Sequence, residues 1–403
     1  MAVPVSDDSI AQRIRAICER VETLKGVGEY FYNLPVSELR GGARVLVNGR
    51  EMGMFASYSY LGLLGHPRIN AAARKAVDDF GTGTHGVRTL AGTLTLHQEL
   101  EETIAEFKET EDAVTFSSGY ATNLSVISTL VGRHDYVFSD KLNHASIVDG
   151  CLLSGAKFVR FRHNEIDDLE ARLKAAPASA AKLVVADAVF SMDGDIIDLP
   201  HVAEVCRRHQ AWLMIDEAHS VGVLGATGRG IEEHFGTPGV IDIKMGTLSK
   251  TIPSVGGYVA GSADLIRYLR HTARAYIFSA ALPPAQAAAA REAFQVILDE
   301  PWRVEALKAN AAQFLSGLKA RGMNTLQSET AIVPVLCGTD DAAFRMTREA
   351  QLEDVFALPV VSPAVPEGLA RLRATVTAAH ATDEIERAMD VFARAAKKAG
   401  VLS

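Results

Sequence analysis

The sequence predicts an α/β protein with a doubly wound, mostly parallel seven-stranded sheet, followed by a smaller C-terminal α/β domain. From residue 98 onward, short apolar runs alternate with segments long enough to form helices. Continuous apolar runs of this kind are typical of parallel strands that helices cover on both faces. The strand candidates span residues 113–116, 136–138, 157–161, 182–186, 212–215, 243–245 and 257–260. Ligands of such sheets bind at the carboxyl ends of the strands.

The N-terminal part precedes this alternation. Residues 9–25 place isoleucine, valine and leucine at helical spacing among charged residues, which predicts an amphipathic helix. We expect this helix to dock on the protein's own body or on a second subunit. Residues 44–56 alternate between apolar and polar, and the pair Asn48-Gly49 within them is a hairpin signal.

The C-terminal part begins after a proline pair, Pro283-Pro284. A long helical tract over residues 285–321 follows the pair, and a second region of mixed helix and strand covers 330–403. We therefore predict three units: an N-terminal helix and hairpin segment at 1–56, a large ligand-binding domain at 57–284, and a small domain at 285–403.

Composition excludes several classes of protein. The 403 residues are 48% hydrophobic and 22% charged, as in globular proteins, and the net charge of -8 argues against a general nucleic-acid binder. No apolar run reaches the length of a membrane span, and the N-terminus lacks an apolar signal core, so we expect a cytoplasmic protein. Without a CxxC pair or metal-ligand spacing, the cysteines predict reduced thiols and no metal site. They are Cys18, Cys151, Cys206 and Cys337.

The run from Gly81 to Gly86 matches the GxGxxG pattern of dinucleotide-binding proteins. That pattern requires a buried strand before it and a helix that opens on its last glycine. Here a helical segment, residues 69–80, precedes it, and a glycine-containing stretch continues to Gly92. We therefore do not interpret it as a nucleotide fingerprint.

Four predicted strand ends carry residues that bind anions or react. The turn at 117–119, Ser-Ser-Gly, enters a helix, and the free amides of a helix N-terminus suit a phosphate. His144 follows the second strand, and Asp216 ends a buried strand with His219 three residues later. A buried carboxylate is costly without a partner, so we expect a cation beside Asp216. Lys250 lies on a loop of small and hydroxyl residues after another strand.

Together these groups are what pyridoxal phosphate requires. A lysine in a partly desolvated cleft has a lowered pKa, and its neutral amine condenses with an aldehyde. Asp216 would pair with the pyridine nitrogen and keep the ring electron-accepting. His144 would stack on the ring, and His219 would bond to its phenolic oxygen. Each signal alone is common, whereas all four in this chain order indicate a cofactor site.

At this point the chain resembles the α-oxoamine synthases, a family of fold-type I pyridoxal phosphate enzymes. The resemblance implies decarboxylative condensation of an amino acid with an acyl thioester, which releases an α-amino ketone. The matching phrases are SYLGL at 59–63, GTGTHGVRTLAGT at 81–93, SSGYATN at 117–123, NHASIVDG at 143–150, FSMDGD at 190–195, DEAHSVGVLG at 216–225, GTLSK at 246–250, FSAALPP at 278–284 and RLR at 371–373.

The resemblance also implies roles for individual residues. Lys250 corresponds to the Schiff-base lysine, which also removes the α proton of the amino acid. Arg373 corresponds to the residue that binds the substrate carboxylate, and Ser279 to one that reaches the phosphate of the other subunit in a homodimer. The implied cofactor residues are Ser118, Gly119, Tyr120, His144, Ser191, Asp216, His219, Thr247, Ser249, Lys250 and Ser279, and the implied substrate residues are Tyr60, His85, Val87 and Arg373.

Within the family, segments such as 159–173 and 359–366 are most similar to bacterial serine palmitoyltransferases. This likeness implies L-serine and palmitoyl-CoA as substrates and 3-oxosphinganine as product. His85 and Val87 are unusual where the family places its substrates, so alanine or glycine stays open as the amino acid. The alternative is another α-oxoamine synthase, such as an 8-amino-7-oxononanoate synthase-like or 2-amino-3-ketobutyrate ligase-like enzyme, or one that uses an acyl carrier protein.

Two interpretations of other kinds also stay open. A non-catalytic partner subunit would keep the fold, but such subunits typically lose the lysine that this chain retains at position 250. Peripheral membrane contact is the other, because Arg267, Arg270 and Arg274 lie at helical spacing. A solvated helix face, or contact with the phosphates of the thioester, explains these arginines equally well.

Overall fold

A computed structural model describes residues 9–402. The helices are α1 Ser9–Gly26, α2 Pro67–Phe80, α3 Thr95–Lys108, α4 Gly119–Leu130, α5 Ala145–Ser154, α6 Ile166–Ala175, α7 Leu199–Arg208, α8 Ile231–Phe235, α9 Ala263–Thr272, α10 Arg274–Ile277, α11 Pro284–Asp299, α12 Trp302–Ala320, α13 Asp340–Leu352 and α14 Thr382–Ala399. The strands are β1 Val36–Leu39, β2 Arg44–Val47, β3 Arg50–Met54, β4 Asp112–Phe116, β5 Tyr136–Asp140, β6 Lys157–Phe161, β7 Lys182–Asp187, β8 Trp212–Asp216, β9 Ile243–Thr247, β10 Gly257–Gly261, β11 Ile332–Gly338, β12 Val355–Phe356, β13 Leu358–Val360 and β14 Ala370–Thr375.

The largest sheet contains all seven strand candidates in the order β4-β10-β9-β8-β7-β5-β6. Strand β10 is antiparallel to both of its neighbours, and the pairs β9-β8, β8-β7, β7-β5 and β5-β6 are parallel. The predicted mostly parallel α/β sheet is therefore confirmed. Because parallel strands share a direction, the carboxyl ends of β5, β7, β8 and β9 meet at one edge.

Helices cover both faces of this sheet, as the continuous apolar runs predicted. All six residues of β7 are buried, and its successive side chains enter two different apolar clusters. Val184 and Ala186 pack in one cluster with α3 and α11, whereas Leu183 and Val185 pack in the other with α4 and α9. Alternate side chains of a strand point to opposite faces, so both faces must be apolar.

Two smaller sheets complete the fold. The predicted hairpin at Asn48-Gly49 joins β2 to β3, and both turn residues have positive φ, as a tight hairpin of this sequence requires. The two strands of this hairpin form the centre of a four-stranded sheet in the order β1-β2-β3-β12. Strand β12 comes from the C-terminal region. Strands β11, β14 and β13 form the third sheet.

The structure differs from the predicted helical tract at 285–321. Two helices, α11 and α12, replace it, with the break at Glu300 and Pro301. Proline has no amide hydrogen and disfavours helical backbone in the residue before it, so α11 ends there and α12 begins after it. The glycine run that starts at Gly81 follows a helix, α2, which agrees with the rejection of a nucleotide fingerprint.

Candidate active site

A cavity of about 240 Å³ opens at the carboxyl edge of the seven-stranded sheet. Ten of the residues that line it are predicted cofactor residues: Ser118, Gly119, Tyr120, His144, Ser191, Asp216, His219, Thr247, Ser249 and Lys250. Five more residues that the sequence analysis did not assign also line it: Asn123, Ser146, Asp187, Ala218 and Met245. The fold therefore brings the four predicted strand ends together.

One end of the cavity is the N-terminus of α4. The Ser118 side chain caps this helix by accepting a hydrogen bond from the amide of Ala121 at 3.1 Å. A Cβ atom at Gly119 would lie 3.0 Å from Oγ1 of Thr247, so glycine keeps this end open between helix and strand. Unpaired amides and the positive end of the helix dipole suit a phosphate here, and the hydroxyl groups of Thr247 and Ser249, 2.9 Å apart, lie beside it.

Lys250 extends from the loop after β9 into the cavity. Its Nζ lies 2.9 Å from Nε2 of His219 and 5.7 Å from the centre of the Tyr58 ring. Burial lowers the pKa of Lys250 from 10.5 to about 8, the carboxylates of Asp216 and Asp187 act against this shift, and the Arg373 guanidinium adds to it. A substantial fraction of the amine is therefore neutral near physiological pH.

His219 is held in one orientation by groups on both ring nitrogens. Its Nδ1 lies 2.6 Å from the hydroxyl of Tyr60, and burial raises the pKa of that phenol to about 12. Because the phenol keeps its proton, it can donate to Nδ1, while Nε2 faces Nζ of Lys250. Burial and the charges of Lys250 and Arg373 hold the pKa of His219 well below 6.5, so the ring is neutral.

Asp216 ends β8 and is buried, with an exposed fraction of 4%. Its carboxylate accepts hydrogen bonds from Nδ2 of Asn123 at 2.8 Å and from the amide of Ala218 at 2.9 Å. Among residues 9–402, no lysine, arginine or histidine forms an ion pair with it within 4.0 Å. No side chain in this part of the chain is therefore the cation that we expected beside Asp216. A protonated ring nitrogen of the cofactor would supply that charge.

His144 is the N-cap of α5 and also lines the cavity. Its Nδ1 lies 2.8 Å from the hydroxyl of Ser146, and its amide donates to Asp187 at 2.8 Å. Burial lowers the pKa of His144, so the ring is neutral and can lie against a planar ligand. Burial, and the neighbouring carboxylate of Asp216, raise the pKa of Asp187 well above 3.8.

Arg373 approaches the cavity from β14 of the third sheet. Its Nε donates to the carbonyl of Ser191 at 2.6 Å, and its Nη1 donates to Thr375 at 3.2 Å. The guanidinium also lies 4.8 Å from the centre of the Tyr58 ring. Its Nη2 is buried and has no hydrogen-bond partner among residues 9–402. A buried donor without a hydrogen-bond partner costs free energy unless a ligand accepts its hydrogen bond.

The other predicted site residues lie outside this cavity. Tyr60 is fully buried behind His219, and His85 is exposed. Val87 pairs with Ala280 in an isolated bridge, which places the loop of His85 beside the segment of Ser279. The three arginines do not form one exposed face, because Arg270 turns inward. Its guanidinium bonds to Asp112 at 2.9 Å and to Glu101 at 3.2 Å.

Two residues that the sequence analysis missed shape the site. Asn123 holds Asp216 from one turn inside α4, and Tyr58 covers both Lys250 and Arg373. A signal existed for Asn123, because a polar residue within a small and apolar helix must find a partner when it is buried. Tyr58 lies in a loop, and the sequence offers no periodicity there that separates it from Tyr60.

The described residues contain neither a metal-binding cluster of three or more His, Cys, Asp or Glu side chains nor a helix long and apolar enough to cross a membrane.

Residues 51–392 match the family described as aminotransferase class I and II. The chain belongs to this family. It is a pyridoxal phosphate-dependent enzyme of the α-oxoamine synthase group. An 8-amino-7-oxononanoate synthase from Thermoanaerobacter pseudethanolicus is 43% identical over 387 residues, which cover 96% of this chain and 98% of the relative. A serine palmitoyltransferase from Sphingobacterium spiritivorum is 41% identical over 383 residues, which cover 95% of this chain and 96% of the relative.

The solved structures extend this similarity to three dimensions. A serine palmitoyltransferase from S. paucimobilis, solved with a bound PLP-myriocin aldimine, is 34% identical and has a TM-score of 0.95. The alignment covers 98% of this chain and 100% of that one. The fold-type I architecture and the pyridoxal phosphate dependence expected from the sequence are therefore confirmed.

Proposed function

We propose that the protein condenses a small α-amino acid with an acyl thioester, releasing carbon dioxide and a free thiol and forming an α-amino ketone. The observation that carries the proposal is the position of two groups beside the Tyr58 ring. The amine of Lys250, with its lowered pKa, lies 5.7 Å from the centre of this ring, and the guanidinium of Arg373, whose Nη2 has no hydrogen-bond partner among residues 9–402, lies 4.8 Å from it. An amino acid between them would meet a base at its α carbon and a cation at its carboxylate.

The cofactor residues would hold pyridoxal phosphate at defined points. The amides at the start of α4, with the hydroxyl groups of Thr247 and Ser249, would hold the phosphate. Asp216 would keep a proton on the ring nitrogen, and the Nε2 proton of His219 would be donated to the phenolic oxygen. When bound in this way, the cofactor supplies a ring that accepts the electron pair released at the α carbon.

Lys250 would move the α proton of the amino acid. A general base works best with a pKa near the working pH, and burial brings this amine to about 8. The guanidinium of Arg373 would orient the substrate, because it forms parallel charge-assisted bonds with a planar carboxylate. The ring of Tyr58 lies against this guanidinium and restricts its rotation.

For the substrates, we propose those of an 8-amino-7-oxononanoate synthase-like enzyme, alanine and a pimeloyl thioester. Relatives that carry this name reach 45% identity, against 41% for the serine palmitoyltransferase from Sphingobacterium spiritivorum. The sequence analysis favoured L-serine and palmitoyl-CoA. That pair is the second candidate, and the TM-score of 0.95 to a serine palmitoyltransferase supports it.

A panel of substrates tests both candidates. Purified holoprotein is titrated with single amino acids while the absorbance of the cofactor is recorded, and products with pimeloyl, acetyl and palmitoyl thioesters are identified by mass spectrometry. We expect alanine with the pimeloyl thioester to give product. Turnover of serine with palmitoyl-CoA alone would select the second candidate, and a protein that does not take up pyridoxal phosphate would indicate a non-catalytic subunit.

The role of Arg373 is tested by substitution. The Arg373→Gln variant should raise the amino-acid Kd about tenfold to 150-fold, because a hydrogen bond to a charged group contributes about 1.5–3 kcal/mol. The Kd of the cofactor should change little. Arg394→Gln, an exposed arginine paired with Glu353, is the matched control. An unchanged amino-acid Kd in the Arg373 variant would contradict the role.

We also propose a homodimer in which Ser279 reaches the phosphate of the other subunit. Ser279 lies outside the cavity of its own chain, next to Phe278, whose side chain is 70% exposed. Light scattering should give twice the monomer mass, and Ser279→Ala should weaken cofactor binding without changing that mass. A monomer that binds the cofactor with full affinity would contradict the shared site.

A further inference from the structure

His163 lies between two carboxylates outside the cavity. It belongs to the turn after β6, and its Nδ1 is 3.0 Å from Asp140 while its Nε2 is 2.9 Å from Asp195. Ionised carboxylates only accept hydrogen bonds, so each ring nitrogen must carry a proton. Burial opposes the charge, yet the hydrogen bonds to both aspartates raise the pKa of His163 to about 10. The edge of the ring also packs on Phe190, with centroids 4.4 Å apart.

The two carboxylates depend on His163 to different extents. Asp140 also accepts hydrogen bonds from the amides of Leu142 at 2.8 Å and Asn164 at 2.9 Å. Asp195 accepts only from His163 among the side-chain contacts of the described residues, and its Oδ1 is buried without a partner. Loss of the imidazolium would therefore leave Asp195, not Asp140, as an uncompensated buried charge.

Asp195 closes a turn that contacts the predicted substrate arginine. The amide of Phe190 donates to the carbonyl of Asp195 at 3.0 Å, and the amide of Gly194 donates back to Phe190 at 2.8 Å. Between these residues, the carbonyl of Ser191 accepts from Nε of Arg373 at 2.6 Å. The orientation of the guanidinium thus depends on where this turn lies.

The C-terminal region holds the same turn from the other side. Arg371, two residues before Arg373 on β14, donates to Asp193 at 2.8 Å and to the carbonyl of Met192 at 3.1 Å. A Cβ atom at Gly194 would lie 2.2 Å from the carbonyl oxygen of Ile332, so the turn and β11 are in direct contact. His163 is therefore the cation on the large-sheet side of a turn that two arginines hold on the other side.

We propose that His163 is a positioning residue for amino-acid binding: its imidazolium fixes the 190–195 turn through Asp195, and the turn fixes the guanidinium of Arg373. The proposal rests on the proposed function for the role of Arg373. It assigns His163 no contact with substrate or cofactor. One predicted cofactor residue, Ser191, lies in this turn, whereas Asp216, Thr247 and Lys250 lie outside it, so a change at His163 should affect the amino acid more than the cofactor.

The test compares His163→Gln with His201→Gln in the holoprotein. His201 is a matched control, because it also pairs with an aspartate, Asp198, but is 73% exposed, and its side chain bonds to no residue of the 190–195 turn among the described residues. Hydrogen–deuterium exchange of residues 190–196 and 370–375 should be about tenfold faster in His163→Gln only. The Kd for alanine and serine, followed by cofactor absorbance, should rise about tenfold, while the Kd of pyridoxal phosphate changes less than twofold.

A second variant separates positioning from simple loss of packing. Asp195→Asn removes the charge that His163→Gln leaves uncompensated, so the double variant should bind the amino acids more tightly than His163→Gln alone. Weaker binding in the double variant, or unchanged exchange at 190–196 in His163→Gln, would overturn the proposal. If the wild type binds neither amino acid, the proposed function fails, and the exchange measurement still tests the effect of His163 on the turn.

Discussion

The amine of Lys250 should react with the cofactor aldehyde at a pH well below that of an ordinary lysine. Burial lowers its pKa from 10.5 to about 8. At pH 7 about one amine in ten is then neutral, whereas an ordinary lysine with a pKa of about 10.4 has roughly one in 2,500. The reactive fraction is therefore about 250-fold larger than for a solvated lysine.

The assay mixes apoprotein with pyridoxal phosphate and records absorbance by stopped flow between pH 6 and pH 11. The rate of covalent attachment should rise as the pH passes through about 8, because the ammonium form below that pH cannot attack the aldehyde, and should then reach a plateau. Nα-acetyl-lysine amide, measured in the same way, gives the reference for a fully hydrated amine.

A midpoint above pH 10, equal to that of the reference amine, would refute the argument from burial. A separate variant tests the contribution of neighbouring charges to the pKa of Lys250. Removing the positive charge of Arg373 in Arg373→Gln should raise the midpoint, because that charge adds to the lowering of the Lys250 pKa. A lower midpoint in this variant would contradict the expected effect of the Arg373 charge on the pKa of Lys250.

Two further predictions concern stability. A Cβ atom at Gly257 would lie 2.4 Å from Thr122 and 2.7 Å from Gly119. Gly257→Ala should therefore displace the start of α4 and cost about 1–3 kcal/mol, seen as a lower Tm and weaker cofactor binding. Gly132→Ala should change neither, because its Cβ atom would have no atom of the described residues within 4 Å. The stabilisation from the His163 ion pairs should be complete below about pH 6.5 and lost as the pH rises through about 10. The difference in Tm between wild type and His163→Gln should shrink across that window, and a constant difference would contradict the assigned charge.

The elements of the sheet could be predicted from the sequence because their chemistry is simple. Strands such as β7 are buried on both faces, so their central residues, 183–186 in β7, are all apolar and the run is visible in the sequence. The order of the strands and the antiparallel direction of β10 could not be predicted from the sequence, since both depend on contacts between distant parts of the chain. The break at Pro301 was missed, although proline within a predicted helix interior is a signal that the helix ends before it.

Some features of the site could also be predicted from the sequence, and others could not. Strand ends predicted the neighbourhood of His144, Asp216 and Lys250, because parallel strands deliver their carboxyl ends to one edge. Arg373 came only from the family resemblance, and its unpaired nitrogen became visible in the structure. The connection from His163 through Asp195 to this arginine could not be read from the sequence, since it joins three separate turns and strands.

The pairing of β12 with β3 has a consequence for biosynthesis. Val355 pairs with Gly53, and Phe356 with Met54, across an interval of about three hundred residues. A ribosome that adds about 5–20 residues per second needs roughly 15–60 s to cover that interval. During this time the outer edge of the N-terminal hairpin has no neighbour, and a nascent chain with an exposed strand edge is open to pairing with other chains. A chaperone that occupies this edge during translation would protect the protein until its own C-terminal strand emerges.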